Sequence, residues 1–94
     1  MQNSINLKSS ILQNKEIPTA LIDNELGLMN VDKGKYYSLD EIGIEIWNLI
    51  ENSIKVDDVV DKLLKEYDIE RKQCENDVLE LINELFKQDL ILKG

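Results

Sequence analysis

Carboxylates are the most abundant reactive side chains of this chain: 19 Asp and Glu against 11 Lys and Arg, with no histidine and a single cysteine. They crowd at Asp57-Asp58 and at Glu66-Tyr67-Asp68. Paired carboxylates do general acid and base work only where a dry cleft drives their pKa values apart. On amphipathic helices such pairs read as solvated faces. No glycine-rich phosphate loop, nucleophile elbow, or Ser/His or Cys/His pair is present. Without histidine, and with one Cys, the usual zinc spacings are missing too, so no metal and no cofactor is expected. Cys74 falls on the apolar stripe of a helix, where a buried, inert thiol is the ordinary state. The side chains therefore argue against an enzyme.

The chemistry that remains is that of the backbone. Glu25 to Val31 alternates as a strand, with Leu26 and Leu28 on one face and Met29 and Val31 on the other. Asp32-Lys33-Gly34 supplies a hairpin turn, and Lys35-Tyr36-Tyr37-Ser38-Leu39 returns as a short aromatic strand. Tyr37 and Leu39 point toward the core, Tyr36 and Ser38 away from it. Such a strand at a sheet edge offers unpaired N–H and C=O groups to another chain.

The elements around this hairpin follow from periodicity. Ile5 and Leu7 fit a short first strand or an ordered lead-in, Ile11-Leu12 a strand ending in a polar turn, and Ala20-Leu21-Ile22 precedes a turn at Asp23-Asn24. Pro18 keeps Ile17 to Thr19 at an edge or a connection. Asp40 is a suitable N-cap for a helix over about 41–51 whose stripe is Ile42, Ile46, Leu49 and Ile50, widened by Trp47. Gly43 in its first turn signals a close approach by another element. Val56, Val59, Val60, Leu63, Leu64 and Tyr67 mark a second helix over about 56–66, with Asp57 and Asp58 at its positive end. The third runs over about 71–88 on Cys74, Val78, Leu81, Ile82 and Leu85, and Leu90 to Leu92 leaves it extended. Leu79 and Phe86 form a second apolar line, which either widens the core stripe or floors a groove. The expected fold is α+β: a winged helix-turn-helix outline with an N-terminal three-stranded antiparallel sheet over about 5–39 followed by three α-helices, in one domain spanning 1–94.

Charge and hydropathy narrow the partners. A net charge of −8 repels phosphate backbones and anionic lipid. No apolar run approaches the length of a membrane span, and Met1 to Ser10 lacks the form of a signal peptide, so a cytoplasmic location is expected.

The hairpin and first helix are more specific. Val31-Asp32-Lys33-Gly34-Lys35-Tyr36-Tyr37-Ser38-Leu39-Asp40, with Gly43 and Ile46-Trp47, resembles the PqqD-like family, where a strand ending in an aromatic pair leads into a helix with a Gly-x-x-Ile-Trp pattern. Tyr67-Asp68-Ile69, Asp77-Val78, Leu81-Ile82, Leu85 and Leu90-Ile91 extend the match to about residues 26–92. Asp40 replaces the usual Asn, and Asp89 stands where a Gly usually ends the last helix. The resemblance implies a recognition element for ribosomally made, modified peptides. Such an element binds the leader segment of a precursor and presents it to a leader peptidase or modifying enzyme, and the hairpin looks closest to the stand-alone lasso-peptide type. Carried over, the leader pairs as an added strand on Lys35, Tyr36, Tyr37, Ser38 and Leu39 and lies against Glu75, Val78, Leu79, Ile82, Asn83 and Phe86 of the third helix.

The rival from another class is a DNA-binding winged helix acting in transcription. Glu75, Asp77, Glu80 and Glu84 on the third helix would be repelled by a duplex, so no nucleic-acid partner is expected. An unoccupied edge strand can also pair with its own copy, which leaves the oligomeric state open.

Overall fold

The computed structural model describes residues 4–94. Its elements are β1 (Ser10–Gln13), β2 (Thr19–Ile22), β3 (Glu25–Asn30), β4 (Lys35–Leu39), α1 (Glu41–Leu49), β5 (Ile54–Lys55), α2 (Val56–Glu66), α3 (Arg71–Lys87) and β6 (Ile91–Lys93). The fold is α+β, with three helices and two antiparallel three-stranded sheets in the orders β5-β1-β6 and β2-β3-β4.

This corrects the expected single sheet ahead of the helices. β1 does not join its neighbours in sequence. It pairs with β5 on one side and β6 on the other, placing Ile11, fully buried, opposite Ile54 and Lys93. Both partners are too short to show a period of their own, and Ile54–Lys55 gives no alternation at all. Ile5 and Leu7 belong to an ordered lead-in, with a turn at Leu7–Lys8, rather than to a strand. Ile5 packs into the buried core, and its backbone is held there by Asn83: its N–H donates to Asn83 Oδ1 at 2.8 Å and its C=O accepts from Asn83 Nδ2 at 3.1 Å.

The helices form where the apolar spacing places them. Asp40 caps α1, its Oδ1 accepting the Gly43 N–H at 3.0 Å. A Cβ on Gly43 would stand 3.1 Å from the Leu39 side chain, so a larger residue there would push α1 and the end of β4 apart by a few tenths of an ångström. Val56, Val59, Val60 and Leu63 of α2 meet Cys74, Val78, Ile82 and Leu85 of α3 in one buried cluster with Leu28, Leu39, Ile46, Trp47 and Ile50. Each such side chain contributes about 1.5–3 kcal/mol by leaving water. The hairpin and its floor are thereby fixed to a rigid frame.

Candidate functional site

The β3–β4 hairpin turns at Val31–Gly34, where Gly34 donates its N–H to Val31 O at 3.2 Å and adopts a φ of 64°. The side chain that braces the turn is Asn30, not Asp32. Asn30 Oδ1 accepts the Lys33 N–H at 3.0 Å, and its Nδ2 donates to Gln88 O at 2.9 Å. Lys33 adds an ion pair to Asp89 at 2.7 Å. Asp89 takes the left-handed φ of 61° that ends α3. These contacts tie the hairpin to the C-terminal end of α3 and so set the space between β4 and that helix. Sequence reasoning missed Asn30. Its signal was a polar residue in the inward row after Leu26 and Leu28.

β4 lies at an edge, paired only to β3. In an antiparallel ladder the N–H and C=O of one residue point to the same side, and the side alternates along the strand. Met29 donates its N–H to Pro18 O at 3.1 Å, toward the β2 side. Leu28 therefore faces β4 and exchanges with Tyr37, its partner in register. Alternation then sends the N–H and C=O groups of Tyr36 and Ser38 to the unpaired edge. Their side chains lie on the outer face: the Ser38 hydroxyl donates to Glu25 Oε1 at 2.7 Å, and the Tyr36 ring, 59% exposed, covers Gly27, where a Cβ would stand 2.7 Å from it.

On the inner face, β4 and α3 enclose an open groove of about 490 Å³ lined by Tyr37, Asp77, Glu80, Leu81 and Glu84. Burial first, then the charges of Glu84, Glu80 and Asp40, hold the Tyr37 phenol above its ordinary pKa, so it remains a neutral donor. Across Leu81 and Asp77 lies a second, more apolar hollow of about 300 Å³ among α1, α2 and α3, lined in part by Ile42, Gly43, Ile46, Ile69 and Val78.

Of the residues expected to recognise a peptide, the structure places Lys35 to Leu39 on the edge strand and Val78 at the apolar hollow, while the others of α3 lie away from both hollows. Val78 and Ile82 are buried in the core. Glu75 accepts from Arg71 Nε at 3.1 Å. At about 100° per residue, Leu79, Asn83 and Phe86 fall on the flank of the core stripe away from Asp77, Leu81 and Glu84. That flank holds the lead-in through Asn83 and carries Lys93, whose Nζ sits 5.8 Å from the centre of the Phe86 ring. Leu79 and Phe86 are partly buried against the core.

Cys74 is buried, and its thiol is pushed up chiefly by that burial. No group of acidic, Cys or His side chains among the described residues is arranged to hold a metal. Among the described residues no helix is long and apolar enough to cross a membrane.

The site is thus an edge strand, β4, facing an open groove on the last helix. The family described as coenzyme PQQ synthesis protein D (PqqD) matches residues 25–91, and the chain belongs to that family. Two solved structures resemble it over nearly their whole length. TbiB1 in complex with the TbiA(beta) leader peptide is 29% identical with a TM-score of 0.75, over 85% of this chain and 93% of that one. Lasso peptide synthetase B1 complexed with the leader peptide is 25% identical with a TM-score of 0.70, over 87% and 96%. No curated protein matches the sequence.

Proposed function

We propose that this chain is a non-catalytic recognition element that captures the leader segment of a ribosomally made precursor and presents it to a partner peptidase or modifying enzyme in the cytoplasm. The observation that carries the reading is the unpaired edge at Tyr36 and Ser38 beside the Tyr37–Leu81 groove. The similarity to two leader-bound proteins supports it. A strand added there gains at most four backbone hydrogen bonds, an N–H and a C=O from each of two residues, each contributing about 0.5–1.5 kcal/mol net. Alternate side chains of the leader then enter the groove and the apolar hollow beyond it, supplying selectivity. In this reading the wall opposite β4 is Asp77, Glu80, Leu81 and Glu84, in place of Leu79, Asn83 and Phe86. The carboxylates of that wall disfavour nucleic acid.

The test is Ser38→Pro. The Ser38 N–H lies outside the β3 ladder, so the sheet tolerates proline, while an incoming strand loses a donor and meets the ring. The variant should keep its helical circular dichroism and lose binding to a precursor leader that the wild type captures. Undiminished affinity in the folded variant would overturn strand addition.

A further inference from the structure

A strand laid along the free edge of β4 places its side chain opposite Tyr37 on the face to which Tyr37 points, because cross-strand neighbours share a face. That side chain enters the groove. Its floor is the Tyr37 ring and Leu81, and its walls carry the carboxylates of Asp77, Glu80 and Glu84. Among the described residues none of these three acids has a Lys or Arg partner: the ion pairs of the chain use Asp57, Asp61, Glu75 and Asp89. Asp77 and Glu84 receive only neutral donors, from Gln73 at 3.0 Å and Gln88 at 3.1 Å. Their field reaches the groove floor, since Glu84 and Glu80 both raise the Tyr37 phenol. Acids are plentiful on this surface. What distinguishes these is that an incoming strand must cross them, and that the chain itself leaves them without a cation.

We propose that the groove selects a peptide bearing arginine or lysine at the position opposite Tyr37, its aliphatic stem on Leu81 and its head between Glu80 and Glu84. The assignment rests on the peptide-capture reading above and deepens it. A long cationic side chain suits such a site because its stem is apolar, its head remains partly hydrated, and the phenol ring offers a cation–π face. The neighbouring inward positions fix the register. Lys35 occupies the same inner row at one end of β4 and repels a cation opposite itself. At the other end, Leu39 packs on Gly43, which lines the apolar hollow. The position opposite Leu39 therefore takes a bulky apolar side chain. The recognised pattern is a basic and an apolar residue two apart, with a neutral or acidic residue on the basic residue's other side at the same spacing.

Selection from random peptides displayed on phage tests this, with the full chain immobilised in parallel with Ser38→Pro and with the triple variant Asp77→Asn, Glu80→Gln, Glu84→Gln. The wild type should enrich peptides with Arg or Lys two residues from a bulky apolar residue. The triple variant should keep the apolar preference and lose the basic one. Ser38→Pro, with unchanged charge, should enrich neither, which separates recognition from attraction of cations to an acidic surface. For one selected peptide, replacing its basic residue by Gln should weaken binding about fivefold or more. Glu80→Lys, a single surface change, should do the same with the original peptide if the triple variant is unfolded. Enrichment on the wild type without a basic preference, the same preference on the triple variant, or basic peptides retained by Ser38→Pro would each overturn the cation site while leaving strand capture to its own test. No enrichment of any kind on the wild type would overturn the capture reading and this one with it.

Discussion

Asn30 occupies a position where the alternation of β3 calls for an apolar side chain, and at 6% exposure it is the one buried polar residue among the described residues. It is tolerated because both ends of its amide are used, one within the turn and one on the last carbonyl of the α3 cap. Asn30→Ala leaves the Lys33 N–H and the Gln88 C=O without their partner and should cost about 1–3 kcal/mol, read from the urea midpoint. Asn30→Asp should cost more, since it keeps the acceptor for Lys33 but presents a carboxylate oxygen to the Gln88 carbonyl. A second residue-scale effect depends on pH. The Tyr67 hydroxyl donates to Glu45 Oε1 at 2.9 Å, and that bond, with burial and nearby acids, pushes its pKa up to about 12. A raised phenol favours the folded state while protonated. Its contribution is complete below the ordinary value of 10.0 and is lost as pH climbs through about 12. Tyr67→Phe should therefore be less stable than wild type at neutral pH, and the gap between their urea midpoints should close from about pH 10 upward. A gap independent of pH would show that the bond to Glu45 contributes nothing.

At the scale of the element, α3 shows what periodicity can and cannot reveal. Of its expected stripe, Cys74, Val78, Ile82 and Leu85 are the buried face, whereas Leu81 is only half-buried and lines the groove. Two flanks border such a stripe: Leu79 and Phe86 lie on one, and Asp77 and Glu84, which line the groove beside β4, on the other. Which flank faces β4 depends on where the hairpin docks, and the docking is set by Asn30 on Gln88 and Lys33 on Asp89, contacts between residues more than fifty apart in sequence. Local spacing carries no trace of them. Phe86→Ala separates the two flanks. Because Phe86 is half-buried against the core beneath Lys93, the variant should lose about 1–3 kcal/mol, less than a fully buried Phe. Titrated well below its melting temperature, it should bind the leader within about twofold of wild type. A much larger loss of affinity in the folded variant would return Phe86 to the binding surface.

Across the whole molecule, β1 as a strand, β3, β4 and the three helices were legible because each displays its period or is bounded by a turn or cap, as Asp40 bounds α1, whereas β2, exposed throughout, shows no period. The second sheet was not legible. It joins a strand near the start of the chain to a two-residue strand between α1 and α2 and to the last strand after α3, so its pairings span most of the chain and leave no local pattern. Ile11 is its centre and is fully buried. If this sheet is an integral wall of the core, Ile11→Ala should cost about 2–5 kcal/mol, a large share of the roughly 5–14 kcal/mol typical of a chain this long. At about 4–8 °C per kcal/mol, the melting temperature should fall by about 10 °C or more. The groove lies on the other sheet, so the fraction still folded in the cold should bind the leader with wild-type affinity. A fall of only a few degrees would show instead that β5, β1 and β6 are a peripheral closure, and that the β2–β4 hairpin sheet and the helices hold the β4 edge and its groove without them.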